Sequence, residues 1–312
     1  MSKIKQLQPS YACHIEYVNK KVLDKLFNQY KFVCQPKYDG ERLLLHLDGN
    51  NTYCTSRRIS VKTEEFNEIS ANLPTLHIKL NLGYTVLDGE IYSKDWSTIA
   101  GITKSLPERA IELQKENKVK YAVFDCLFFD GLDIRDMSYE YRYNIAQNVV
   151  NLINKEYIHI VESFDVNSRC IAKDLMNKYI NLGFEGIVVK NLSAIYGEKN
   201  SVLKLKKSIT VDCIVYNYTK GNGKYIDTIG ALCLGYYDLN SKSIIHITQC
   251  SPGTDAERKN WFENWTNMQY KIVEVKCQEI TKKSLRHPVI VRIRDDKNYI
   301  MCTKDTIFSD TL

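Results

Sequence analysis

No stretch of the 312 residues approaches the run of about 18 apolar side chains that a membrane-crossing helix needs. The opening Met1-Ser2-Lys3-Ile4-Lys5 has no apolar core of signal-peptide length, so neither leader nor membrane anchor is expected. The ten cysteines are scattered from Cys13 to Cys302 without a Cys-x-x-Cys pair. That argues against zinc and against a disulfide framework, and it fits a reducing cytoplasmic or nuclear compartment. No internal repeat or low-complexity tract stands out. Excess charge is also small: 43 basic against 37 acidic side chains give +6, which permits a nucleic-acid partner without establishing one. What remains is a chain with 44% hydrophobic residues and a mean hydropathy of -0.33, long enough for one large or two moderate globular domains.

Residues 32–206 alternate strand-like runs with two helices. Residues 42–47 and 52–56 flank Asp48-Gly49-Asn50-Asn51, a turn-rich hairpin connection, and 84–92 and 121–129 read as further strands. Tyr141, Ile145, Val149 and Leu152 recur at helical spacing after Ser138, a suitable N-cap. A second helix starts near Ser168, carries Ile171, Leu175 and Tyr179 on one face, and ends at Gly183. Beyond Lys206 come five short strand candidates, 212–218, 231–237, 244–249, 272–279 and 289–294, with one helix at 254–268. Five strands and a helix suggest a small Greek-key barrel such as an OB-fold. The fold class is therefore α+β, with domains at 1–207 and 208–312.

The strings that carry chemistry lie in and between these elements. Lys37-Tyr38-Asp39-Gly40-Glu41-Arg42 places a lysine just past a strand. To act as a nucleophile it must shed a proton held at a reference pKa of about 10.4. A second cation about 4 Å away costs the charged form on the order of 4 kcal/mol at an effective dielectric of about 20, enough to lower that value by roughly 3 units. Leu203-Lys204-Leu205-Lys206 can supply such cations, because alternation puts both lysines on one face. Asp88-Gly89-Glu90 is read as two carboxylates on opposite faces unless Gly89 kinks the strand. Glu185, at the threshold of Ile187-Val188-Val189, needs a cation or donor to offset its burial. Val123 and Phe124 must face opposite sides of their strand. Basic residues crowd the late string Val291-Arg292-Ile293-Arg294-Asp295-Asp296-Lys297. Taken singly, each piece has a bland reading as a solvated turn, rim or core strand.

Together and in this order, they resemble the covalent nucleotidyltransferase superfamily, and ATP-dependent DNA ligases of minimal two-domain type most closely. The resemblance implies a nucleotidyltransferase (ATP-grasp-like) domain of mainly antiparallel sheets with flanking helices, followed by the OB-fold domain. Lys37 would take AMP from ATP, with Lys204 and Lys206 holding the α-phosphate. Gln35 would read the adenine edge, Phe124 stack on the base, Arg42 contact the ribose or nick, and Arg57 the flanking phosphate. Arg58, next in line, blurs which guanidinium does so. Glu90 would bond the ribose or a metal, and Asp39, Asp88, Glu90 and Glu185 would hold Mg²⁺ or Mn²⁺ through oxygen ligands. Arg294, Asp296 and Lys297 match the element that grips outgoing pyrophosphate, with Leu285-Arg286-His287-Pro288 as a ligase-like lead-in.

Capping guanylyltransferases usually carry a Trp or Pro in the string at Leu203, and RNA ligases generally lack the barrel and its basic end. NAD-dependent DNA ligases need a longer segment before the lysine, together with zinc cysteines. An inactive nucleic-acid-binding module on the same scaffold is disfavoured by the intact Lys37, Glu185, Lys204 and Lys206. The expectation is thus an intracellular, monomeric DNA ligase (possibly viral or phage-encoded) acting on nicked duplex DNA, with two domains alone clamping the duplex.

Overall fold

In a computed structural model, which describes residues 12–14, 20–49, 51–59, 64–281 and 284–308, the chain divides into two units, Met1–Lys206 and Lys207–Leu312. The first is organised by the leucine-rich strand Glu41–Asp48. Its Leu43, Leu45 and Leu47 are fully buried in the main core, at roughly 2 kcal/mol each. A one-residue slip would turn all three to the other face, so this stripe fixes the register. The strand pairs with Asn51–Ile59 across the expected hairpin, Asp48 opposite Asn51; Asn50 lies outside the described residues. On its other edge it pairs with Thr85–Tyr92, which pairs in turn with Lys120–Phe129.

The second sheet of this unit runs in the order Cys13–His14, Val202–Lys206, Gly186–Asn191, Phe32–Lys37 and Phe164–Val166, all antiparallel except the first pair. Residues 38–40 carry the chain from Lys37 in this sheet to Glu41 in the other. Helices cover both cores. Trp96–Lys104, Pro107–Glu116 and Tyr139–Ile153 lend buried side chains to the first, Lys20–Gln29 and Arg169–Asn181 to the second. Three of these five, starting at Lys20, Trp96 and Pro107, go beyond the two helices expected.

The expected cap forms at Ser138, and Ser168, where the second expected helix begins, caps likewise: their hydroxyls accept from the backbone N–H of Tyr141 and Ile171, each at 3.3 Å. The expected apolar faces need correction. Tyr141 and Leu152 are 48% and 61% exposed, while Tyr139, Arg142, Ala146, Val149, Val150 and Ile153 point inward. Arg142 can be buried because its guanidinium pairs with Asp125 at 2.9 Å, so the inward face includes a cation that an apolarity pattern leaves out. In the second helix Ala172 and Tyr179 are buried and Ile171 is exposed. Gly183 follows the helix end with φ +89°.

The second unit is a five-stranded antiparallel sheet in the order Ser243–Cys250, Ile229–Asp238, Ile209–Lys220, Ile272–Cys277, Val289–Ile293. Register shifts interrupt every pairing except that of Ile209–Lys220 with Ile272–Cys277. Such irregularities bend a sheet, and here the Cys250 thiol at one outer strand reaches the Pro288 carbonyl beside the other, at 3.2 Å. The single helix expected at 254–268 is two, Asp255–Glu263 and Trp265–Met268, because the backbone leaves helical geometry at Asn264. The strand expected at 272–279 stops at Cys277, and Glu279–Ile280 pairs instead with Leu285–Arg286. No helix among the described residues is long and apolar enough to cross a membrane.

His46, on the reverse face of the leucine strand, stacks on Tyr53 at 4.3 Å and bonds both Tyr84 and Thr55. Burial lowers its pKa to about 4, so the fold holds it neutral. Its contribution is complete above the unfolded value of about 6.5 and drains away as pH falls toward 4, since the unfolded chain takes the proton first. Urea midpoints should therefore fall more steeply between pH 6.5 and 4.5 in wild type than in His46→Gln; parallel slopes would contradict this.

Candidate active site

Three strands set the site. Gly186 sits directly opposite Lys37 on one side and Lys206 on the other, in one cross-strand row. A Cβ at Gly186 would meet the Leu205 carbonyl oxygen at 2.1 Å, and its φ of +153° suits glycine. The bare residue lets the Val202–Lys206 strand close against it. Just before it, the Glu185 N–H donates to the Lys37 carbonyl at 3.0 Å. The Glu185 side chain then turns in, one oxygen engaging Lys37 Nζ and the other Lys206 Nζ. Burial alone would push its carboxyl up, but the two ammonium groups outweigh it and hold the value below the usual range. Lys204, two residues before Lys206, has its pKa lowered by burial first and then by Lys206 and Lys37. The expected crowding of cations is therefore present, yet the group in direct contact with Lys37 is a carboxylate.

Beside this row, Arg42 donates from Nε and Nη2 to Asp88 at 2.8 and 2.5 Å, and Tyr196 donates to the same carboxylate at 3.1 Å. Asp88 is completely buried. Asp88 and Glu90 share the face away from the main core, while Leu87 and Ile91 enter that core. The expectation of opposite faces is thus corrected: a strand's side chains return to one side every second residue. Asp88, expected as a metal ligand, holds Arg42 and Tyr196. Among the described residues no group of three His, Cys, Asp or Glu side chains is arranged to hold a metal ion. Glu90 is raised to about 7 by burial, against the pull of Lys37 and Arg42 and with a push from Glu185. Asp39 is half-buried in the bend after Lys37, and Arg57 is exposed, close enough to act on Glu90 and Lys204.

Phe124 is half-buried while Val123 enters the core, as alternation requires. The Arg42 guanidinium lies 5.4 Å and the Lys190 ammonium 4.3 Å from the Phe124 ring centre. Burial lowers Lys190 to about 7. Gln35, on the same face as Lys37, is buried, with its amide nitrogen donating to Tyr139 and Ser163. The sequence strings point to neither Lys190 nor Tyr196 nor Tyr139; each becomes visible only through its partner on another element. Tyr38 buttresses the Lys37 loop, its ring 4.5 Å from Tyr92 and its hydroxyl 3.2 Å from His159.

Arg294, Asp296 and Lys297 gather in the second unit. Arg294 forms a two-pronged pair with Asp296 at 2.8 and 2.7 Å, and its Nη1 reaches Asp212 at 3.2 Å. Lys297 meets the same Asp212 at 2.5 Å. The guanidinium holds Asp296 far below the carboxylate range. Asp212, Arg294 and Lys297 line a cavity of about 270 Å³ together with Glu274, Met301, Cys302 and Thr306. Asp212 carried no sequence signal beyond an acid in a strand. The side chain of Arg58 lies outside the described residues.

The row makes a direct prediction. Gly186→Ala should separate Lys37 from Lys206 and abolish covalent labelling of Lys37 by nucleotide while leaving a folded protein by circular dichroism. Full labelling of the variant would show that the close strand approach is not needed.

Residues 12–207 match the profile of the ATP dependent DNA ligase domain. The chain is 26% identical over 297 residues to a DNA ligase of Methanopyrus kandleri, covering 83% of this chain and 51% of that protein. It is 26% identical over 271 residues to the DNA ligase of Vaccinia virus (strain Western Reserve), covering 82% and 47%. It thus spans about half the length of these relatives. A solved structure from a study of DNA binding with a minimal scaffold in Lig E DNA ligases superposes with a TM-score of 0.65 at 17% identity, over 92% of this chain and 99% of that one. At that identity the likeness establishes the fold: mixed α+β, mostly antiparallel, with a nucleotidyltransferase-type and an OB-like unit.

Proposed function

The chain belongs to the ATP-dependent DNA ligase family, and on that premise we propose that it seals nicks in duplex DNA through a lysyl-AMP and then a DNA-adenylate. The observation that carries this reading is the Lys37–Gly186–Lys206 row with Glu185 shared between its two lysines. In the first step Lys37 Nζ, having given up a proton and its hold on Glu185, attacks the α-phosphorus of ATP. A P–N bond forms, the bond from the α-phosphorus to the bridging oxygen breaks, and pyrophosphate departs with the electron pair. Lys204 and Lys206 face the charge that builds on the α-phosphate. AMP then passes to the 5′-phosphate of the nick, and the 3′-hydroxyl displaces it. Positioning and charge neutralisation supply most of the acceleration.

Residues 1–207 serve as the adenylyltransferase domain and 208–312 as the OB-fold domain. Phe124 stacks on the base, and Arg42, braced by Asp88, meets the ribose or nick. Arg57 meets a flanking phosphate. Asp39, Asp88, Glu90 and Glu185 are the carboxylates from which Mg²⁺ or Mn²⁺ would draw its protein ligands. One or two carboxylates plus substrate phosphates is the usual donor set for such an ion, which would neutralise phosphate charge when bound. Arg294, Asp296 and Lys297 grip pyrophosphate after letting go of Asp212. The protein works inside the cell as a monomer.

Lys37→Ala should eliminate label transfer from α-labelled ATP yet still join a pre-adenylylated nick, because the lysine has no covalent role after AMP leaves it. AMP found by mass spectrometry on a different lysine would overturn the assignment. Arg294→Ala and Lys297→Ala should each slow self-adenylylation far more than the closing of a pre-adenylylated nick. Equal losses in the two assays would assign these residues to DNA binding or folding.

A further inference from the structure

Around Phe124 runs a polar network that none of the sequence strings contains. Tyr139 opens the helix Tyr139–Ile153, and its buried hydroxyl donates to the Phe124 carbonyl at 2.8 Å. Lys190, 6% exposed, donates to that carbonyl and to the Tyr139 oxygen, both at 3.2 Å. The Gln35 amide meets the Tyr139 hydroxyl at 2.8 Å and the Ser163 hydroxyl at 2.8 Å.

The chemistry of these groups fixes which end of the Gln35 amide faces Tyr139. A carbonyl oxygen can only accept, so at 2.8 Å the Phe124 carbonyl takes the single proton of Tyr139. The Tyr139 oxygen is then an acceptor toward its other neighbours, Lys190 and Gln35. An acceptor facing a glutamine amide requires the nitrogen, not the oxygen. Ser163 imposes no such choice, because its hydroxyl can turn to donate or to accept. The Gln35 Oε1 accepts no hydrogen bond among the described residues, yet it is not one of the enclosed side-chain atoms left without a partner. It therefore reaches open space, on the strand face that also carries Lys37.

We infer that Tyr139 is a positioning residue that presents only the carbonyl end of Gln35 to the nucleotide, so that the site selects a purine with a 6-amino group over one with a 6-oxo group. The inference rests on the nucleotidyl-transfer reading of Lys37. A 6-amino group donates to Oε1, whereas a 6-oxo group sets two acceptors against each other with no proton between them. The same carbonyl that anchors Tyr139 belongs to Phe124, so one network holds both the ring that stacks on the base and the amide that reads its edge. Rejection is strong where a site's fixed polar group is left unpaired.

The test compares covalent labelling of Lys37 by α-labelled ATP and α-labelled inosine triphosphate, which replaces the 6-amino group with an oxo group. The readout is the ratio of the two initial rates on one preparation, which cancels any misfolded fraction. Wild type should favour ATP. Tyr139→Phe should lower the ratio by about tenfold or more, because the freed amide can rotate and offer its nitrogen. Ser163→Ala should leave the ratio within about twofold, since Tyr139 still sets the amide. Gln35→Glu placed in the Tyr139→Phe background should restore selectivity, because a carboxylate only accepts. A wild type that labels equally with both nucleotides, or a Tyr139→Phe variant with an unchanged ratio, would overturn the inference while leaving the ligase reading intact. Should Tyr139→Phe prove insoluble, Gln35→Met must show the same loss of selectivity, and an unchanged ratio there overturns the inference equally. Absence of label on Lys37 from either nucleotide would overturn both.

Discussion

One carboxylate between two lysines is the constraint around which the larger unit is arranged. Glu185 lies beside a position where two strands close in on a third, and its oxygens are divided between Lys37 and Lys206. Two ammonium groups this close repel each other, and a half-buried setting weakens the solvent that would screen them. Their shared carboxylate removes that repulsion, and Gly186 removes the side chain that would hold the strands apart. The cost of burying Glu185 is offset by the same pairing. For the transfer proposed above, the resting arrangement is not the reacting one: Lys37 would have to part from Glu185 before attacking. On the proposed reaction an incoming triphosphate would supply the means, since its oxygens would compete with Glu185 for Lys206.

The same logic recurs in the second unit, without glycine. Asp212 holds Arg294 and Lys297 while Asp296 holds Arg294 from the other side. The cations proposed to grip phosphate are thus kept oriented by carboxylates. Asp296 stands in solvent, and an ion pair with an exposed partner is worth little to stability, so its hold on Arg294 is easy to exchange.

How much of this is legible in the sequence follows from which signals are local. The cap at Ser138 and the stop at Gly183 depend on neighbours within a few residues, and they read correctly. Within the first unit the strings at Lys37, Glu185 and Lys206 come together on adjacent strands. Partnerships across the chain do not read. Asp88 meets Arg42 from 46 residues away and Asp212 meets Arg294 from 82, and neither spacing leaves a pattern in either strand. Burial of charge misleads in the same way. Tyr141 and Leu152 look like the inward face of their helix, yet Arg142 and Ala146 occupy it, since Asp125 waits on the facing strand to neutralise the arginine.

Gln35 shows the difference between a residue's position and its chemistry. Its place two before Lys37 is visible in the string and puts it on the nucleophile's face. Its side chain carries both a donor and an acceptor, so the sequence leaves open what it offers a ligand. Only the neighbours decide, and they come from residues 124, 139, 163 and 190, none adjacent to it in the chain. A hydroxyl whose proton is spent on a carbonyl turns an ambiguous amide into a directed one. Selectivity here is thus a property of buried hydrogen-bond polarity, set one step away from the atoms that would touch the base.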